Sequence, residues 1–398
     1  MSLQPINHSP DLKQLRDEGY AVEVLHGHLV VKHVPYVNSQ KEIKLGTLIS
    51  TLTLAGDVTT KPGDHTALFE GDYPCNQDGH PIEGFRNTSQ RMNLGAELWA
   101  DHRFSAKPPS GSYDDYYHKM TTYIAKISGY AQVLDPNVTA KIFPVVESKE
   151  DESVFKYIDT ASSRAEIFAI TKKLEINKVA IVGLGGTGSY VLDLVAKTPV
   201  REIHLFDGDS FLQHNAFRSP GAPSVDELRE KLNKAKYFER IYSKMRRGII
   251  VHTDFIDTSN ITALREMNFV FLCLDQGDAK KMIVEDLLKA SIPFVDVGMG
   301  LYLSEGSLGG ILRVTTGTPE YHDHLASKKR IPFSKDHGNN EYDRNIQIAD
   351  LNALNAVLAV IKWKKLCGFY QDYEKEHFSA YTISGNALIN EDQSGTQP

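Results

Sequence analysis

From residue 178 to 209, apolar and polar positions come in blocks that spell strand, turn, helix, strand. Val179–Val182 is an unbroken apolar run of strand length, and Gly183–Gly188 is glycine-rich. Tyr190–Ala196 is an apolar helix whose opening falls at Thr187–Ser189, and Glu202–Phe206 is a second strand ending on Asp207. The blocks recur downstream. Phe269–Leu274 is a short apolar strand closed by Asp275, and both 292–300 (IPFVDVGMG) and Leu308–Val314 read as strands. Leu351, Leu354, Val357, Leu358 and Ile361 then form one helical ladder ahead of Lys362. Strands alternating with helices predict an α/β domain with a largely parallel sheet.

Upstream of 150 the pattern differs. Tyr20–Val37 alternates and is rich in Val, His and Leu, which predicts two strands folded into a hairpin around His26-Gly27-His28. Tyr116, Met120, Tyr123, Ile124 and Ile127 recur at helical spacing within Tyr113–Ala131, after a stop at Pro108-Pro109. The charged run Glu147–Glu152 reads as a solvated hinge. The expected division is a smaller α+β module over residues 1–150 and the α/β domain over 151–398.

Composition narrows the class of protein. The net charge of −7 leaves no basic excess to displace counterions, so general nucleic-acid binding is not expected. Three cysteines in 398 residues, without a pairing pattern, point to a reducing compartment. No apolar run approaches the ~18 residues of a membrane span, and the N-terminus lacks the basic-then-apolar order of a signal peptide. A cytoplasmic location is the expectation, with no membrane partner.

The chemistry starts in the glycine turn. Gly183, Gly185 and Gly188 fill the slots of a nucleotide-binding turn: one glycine turns tightly, one lets backbone approach a phosphate, one lets helix pack on strand. Gly186 stands among them, and the helix start at Thr187–Ser189 offers N–H groups to an anion. Asp207, 19 residues beyond Gly188, suits ribose hydroxyls. NAD and ATP both fit such a turn. Residues further along the chain separate them: Asp209, Asn215, Arg218, Lys234 and Asp275 bring a set of cations and carboxylates toward the phosphate end. Arg and Lys can neutralise a departing pyrophosphate, and a carboxylate at a strand's end can hold Mg²⁺ through phosphate oxygens, whereas hydride transfer has little use for either.

On these residues the segment from about Ser163 to Gly368 resembles the adenylating domain of the ThiF, MoeB and ubiquitin-activating enzyme superfamily. Members show Gly-x-Gly-Gly-x-Gly, then Asp-x-Asp nine residues ahead of an Arg, then a Lys and a strand ending in Asp. Here these are Gly183–Gly188, Asp207 and Asp209, Arg218, Lys234 and Asp275. The resemblance implies a Rossmann-like adenylating domain that uses ATP and Mg²⁺. The substrate it implies is a carboxylate, most naturally the C-terminal glycine of a ubiquitin-like or sulfur-carrier protein, and pyrophosphate is released. It assigns Asp207 to the ribose, Arg218, Lys234 and Asn215 to the phosphates, and Asp275 to the metal. It further implies a homodimer, paired through the C-terminal ladder, in which Arg164 reaches the partner's ATP.

Two departures limit the inheritance. Relatives often carry a cysteine that takes over the activated carboxylate as a thioester, but Cys273 lies inside an apolar strand and Cys367 follows the C-terminal helix. Thr315–Arg344, long enough to cover the site, contains none. Paired Cys-x-x-Cys motifs for a structural zinc are missing too. In the N-terminal module, Cys75 beside Pro74 reads as a turn residue, and His65, His80, His102 and His118 match no zinc spacing. That module reads as a docking element. A non-catalytic nucleotide-binding scaffold and a nicotinamide-dependent oxidoreductase remain as alternatives.

Overall fold

Five apolar strands from the second part of the chain lie side by side, all parallel. They are β1 (Lys178–Val182), β2 (Glu202–Phe206), β3 (Ile249–His252), β4 (Phe269–Leu272) and β5 (Phe294–Ser304), in the order β3-β2-β1-β4-β5. Antiparallel strands β6 (Ser307–Gly317), β7 (Glu376–Thr382) and β8 (Ala387–Gln393) extend the sheet beyond β5. In this computed structural model residues 4–148, 153–165, 167–275, 277–333 and 346–395 are described. The chain divides into the units Met1–Val146 and Glu147–Pro398. Of the charged run Glu147–Glu152, residues 149–152 lie outside the described residues, as do residues 334–344 of the expected cover Thr315–Arg344.

The unbroken apolar run of β1 has a direct cause. Val179 and Ile181 enter a core shared with helices α1 (Gly186–Val195), α2 (Lys234–Tyr242) and α4 (Ala349–Leu366). Ala180 and Val182 enter a second core, shared with α3 (Asp278–Lys289). A strand covered on both faces has no polar side, so period-two alternation disappears. Strand order reverses between β1 and β4, and in such sheets ligands bind in the crevice beyond the carboxyl ends at that point.

The residues of the C-terminal ladder lie off the buried face of their helix. The buried face of α4 consists of Asn352, Asn355, Ala356, Ala359, Val360, Lys362 and Trp363, while Val357 and Ile361 are each 37% exposed. Helix α4 lies against α1, and that close approach favours alanines and asparagines over the bulky stripe. Behind the sheet, buried Arg246 donates to the carbonyls of Ala196, Thr198, Val200 and Arg201, tying down the chain that leaves α1.

The first unit is a six-stranded antiparallel sheet. Its hairpin pairs Ala21–Leu25 with His28–Val37, closing with Leu25 opposite His28, so His26 and Gly27 both take positive φ. The expected helix runs Tyr116–Leu134, begun by Asp115, whose carboxylate accepts from His118 N at 2.7 Å. Tyr116, Met120, Tyr123, Ile124 and Ile127 are its buried stripe. Lys119 is buried with them, its Nζ 3.0 Å from the Asp64 carbonyl.

Buried histidines should give the protein an acid limit. Burial holds His324 down at about 4, with Asp392 only partly opposing it, and also lowers His377 and His252. A base with a lowered folded pKa takes up its proton first in the unfolded chain. Its contribution is therefore complete above ~6.5 and is lost as pH falls toward the folded value. The melting temperature should drop between pH 6.5 and 4.5, and His324→Phe should flatten that decline. Equal slopes for the two proteins would remove His324 from the acid limb.

Candidate nucleotide site

The glycines of the turn are glycines for different reasons. Gly183 has φ +89, and a Cβ there would lie 2.7 Å from the Cys273 carbonyl oxygen. At Gly188 a Cβ would come within 1.9 Å of the Gly183 carbonyl, so α1 sits on β1 only without one. A Cβ on Gly186 would strike the Asn352 carboxamide, 2.0 Å from Nδ2. Gly185, the residue capping α1, is the exception: a Cβ there would meet nothing within 4 Å. The first amides of a helix have no intrahelical acceptor, so this open space borders a ready anion site. Ser189 does not offer its N–H to an anion as expected, because that N–H donates to Gly185 O at 3.1 Å. It is fully buried and its hydroxyl donates to Gly186 O at 2.7 Å, so its side chain shapes the turn from within.

The carboxyl ends of β1 and β2 are stitched by acids. Asp207 is 7% exposed, and its two oxygens accept from Leu184 N at 2.7 Å and Asp209 N at 2.9 Å. Each carboxylate oxygen carries further acceptor capacity, so a ribose hydroxyl can still be bound beside these contacts. Lys234 opens α2, with its Nζ 2.7 Å from Asp209 Oδ2 and 3.7 Å from Asp207 Oδ1. Asn233 caps that helix through its side-chain oxygen and donates Nδ2 to the carbonyls of Asp207 and Asp209. Lys234 is thus held between two carboxylates.

The loop after β2 carries two buried donors that are unsatisfied among the described residues. Asn215 is buried, with its Oδ1 accepting from Leu212 N at 2.8 Å, yet its Nδ2 has no hydrogen-bond partner among the described residues. Arg218 Nε is likewise buried and without a partner among the described residues. A buried donor without an acceptor costs about 1–3 kcal/mol, which a bound anion recovers. Asp275 lies exposed just past β4, ahead of α3, and Arg164 is the exposed last residue of the helix Thr160–Arg164. Mg²⁺ is commonly held by one or two carboxylates plus substrate phosphates, and Asp275 is a carboxylate that could serve in that way.

Burial favours the neutral form of all three thiols. Burial raises Cys273 strongly, Cys367 to about 11 and Cys75 as well, the last with help from Asp72. Cys273 packs where the backbone of Gly183 meets α1, a core position. One residue of the site was invisible in the sequence. Asn352 of α4 is fully buried, accepts from Thr187 Oγ1 at 2.9 Å and donates to Arg218 O at 3.3 Å. Its position inside an apolar helical repeat gave no sign of this.

A parallel sheet with its glycine turn, anion-ready helix start and acids at the strand ends defines a Rossmann-like nucleotide-binding protein. The ThiF family matches residues 159–388, and the chain belongs to it: it is an adenylyltransferase of ThiF type, a class that uses ATP. A domain of unknown function (DUF6791) matches residues 10–160. Among solved structures the chain is similar to E. coli MccB with ATP, at 18% identity over 57% of this chain and 67% of that one, with a TM-score of 0.41. The microcin C7 biosynthetic enzyme MccB in complex with N-formylated MccA matches at 17% identity over 59% and 70%, with a TM-score of 0.46. PaaA matches at 17% over 57% and 76%, with a TM-score of 0.43. No curated protein matches. No described helix is long and apolar enough to cross a membrane.

Proposed function

We propose that this protein adenylates the C-terminal carboxylate of a ubiquitin-like or sulfur-carrier protein at the carboxyl ends of β1, β2 and β4. The observation that carries the reading is the pair of buried donors, Asn215 Nδ2 and Arg218 Nε, unsatisfied among the described residues, on a loop whose Arg218 carbonyl is tied through Asn352 to Thr187 at the start of α1. The ionised carboxylate attacks the α-phosphorus of ATP. One O–P bond forms, and the bond to the bridging oxygen breaks, its electron pair leaving on pyrophosphate. No protein base is needed, so positioning and charge stabilisation carry the rate. Gly185, Gly186 and the first amides of α1 hold phosphate oxygens, Asp207 the ribose, and Arg218, Lys234 and Asn215 the charge that accumulates on the leaving group. Asp275 would hold Mg²⁺, which neutralises phosphate charge when bound.

The reaction ends at the acyl adenylate. Raised thiol pKa values at all three cysteines argue against an internal thioester. Exposed Val357 and Ile361 on α4 suit a homodimer, in which Arg164 would serve the partner's ATP. Residues 1–150 would dock the carrier, and 151–398 would activate it.

ATP–pyrophosphate exchange, measured with and without carrier proteins bearing a free C-terminal glycine, tests the reading. Carrier-dependent exchange is expected. Tight Mg·ATP binding with no exchange for any carrier would favour the non-catalytic scaffold, and binding of NADH in place of ATP would favour an oxidoreductase.

A further inference from the structure

We infer that Asn352 is a positioning residue for the nucleotide site, a single carboxamide that fixes the start of α1 relative to the loop carrying Asn215 and Arg218. The inference rests on the adenylation reading above. Three observations meet at this side chain. Its Oδ1 accepts from Thr187 Oγ1, one residue into α1, at 2.9 Å. Its Nδ2 donates to the carbonyl of Arg218 at 3.3 Å. The carboxamide also fills the volume that a Cβ on residue 186 would take, since an added Cβ would sit 2.0 Å from Nδ2 and 2.4 Å from Cγ.

Asparagine suits the position because one rigid plane carries an acceptor on one side and a donor on the other. Aspartate would keep the bond to Thr187 but lose the bond to Arg218, and would set a negative charge beside the helix start that receives phosphate. Leucine would fill the space while leaving the Thr187 hydroxyl and the Arg218 carbonyl without this partner. The nucleotide must touch both the amides of α1 and the Arg218 side chain. These lie on separate segments, and an error of about 1 Å between them is worth up to ~10²-fold in rate. Asn352 spans both segments and would act through them, without touching the nucleotide.

Asn355 provides the control. It lies three residues further along α4, is equally buried, and donates Nδ2 to Gly298 O at 3.1 Å, away from the turn. Mg·ATP affinity is measured by calorimetry on the full chain, with the melting temperature recorded for each variant. Asn352→Ala and Asn355→Ala should lose similar thermal stability, while only Asn352→Ala weakens Mg·ATP, by about tenfold, the order of one lost hydrogen bond. Thr187→Val should bind several-fold more weakly than Thr187→Ser, which keeps the hydroxyl that Asn352 accepts from. Asn352→Ala combined with Thr187→Val should be no weaker than Asn352→Ala alone, since both remove one link.

Wild-type affinity in Asn352→Ala, or additive losses in the double variant, would overturn the inference. If Asn352→Ala does not fold, the Thr187→Ser and Thr187→Val pair decides alone, and equal affinities would overturn it. Failure of the wild-type chain to bind Mg·ATP would instead refute the adenylation reading itself.

Discussion

Arg218→Ala should lower carrier-dependent ATP–pyrophosphate exchange by on the order of 10²-fold or more, with little change in melting temperature. The thermal expectation comes from the fold. Arg218 lies on a loop, its backbone is held by Asn215 O through its own N–H and by Asn352 through its carbonyl, and neither bond uses the side chain. Its Nε is buried without a partner among the described residues, so removing it relieves a cost in the unliganded protein while deleting a cation from the pyrophosphate end. Asp275→Ala should lose exchange on a similar scale but respond to added Mg²⁺, because a weakened metal site is partly refilled by mass action. Full exchange in both variants would remove these residues from the mechanism.

Two glycines of one motif should behave in opposite ways. Gly188→Ala presses a methyl to within 1.9 Å of the Gly183 carbonyl and 3.0 Å of Cys273 Cβ, and the first of these is backbone. Helix α1 would have to lift from β1, opening the core that holds Val191, Leu192 and Val195. Overpacking of this kind costs about 1–3 kcal/mol and sometimes more, so a fall of roughly 10 °C in melting temperature is expected. Gly185→Ala meets nothing within 4 Å and should leave the melting temperature within about 1 °C of wild type. The same methyl would occupy the space assigned to a phosphate, so Mg·ATP binding should weaken at least ~10-fold. Calorimetry on both variants checks the pair. A Gly185→Ala protein that binds Mg·ATP normally would mean the phosphates lie elsewhere.

Much of the site was legible in the chain, and the limits are informative. The β1–turn–α1–β2 unit could be read because local rules agreed there: apolar run, glycines, helical spacing and a terminal acid. The identities of Asp209, Arg218 and Lys234 could be read as a charged set, and the reading that they handle phosphate is the one proposed above. Their actual pairing, with Lys234 between Asp207 and Asp209, depends on where α2 starts relative to β2, and no spacing rule supplies that. Ser189 shows the reverse error. Its N–H at a helix start looks open to an anion, but that N–H already donates to Gly185 O within the helix, and the Ser189 hydroxyl donates to Gly186 O. The inward face of α4 could not be read from its ladder, because bulky apolar residues dominate a periodicity reading, while close packing on α1 selects Ala356, Ala359 and the two asparagines.

What the chain alone determined is the order of elements and the chemical character of their ends, since both arise from interactions a few residues apart: periodic burial, turn geometry, and acids or cations at strand termini. The tertiary structure decided which of the motif's glycines leaves room for a ligand, which donors stay unsatisfied, and that Asn352 joins the two halves of the site. Asn352 lies 165 residues beyond Thr187, and contacts over such separations are set by the packing of α4 on α1 and the sheet.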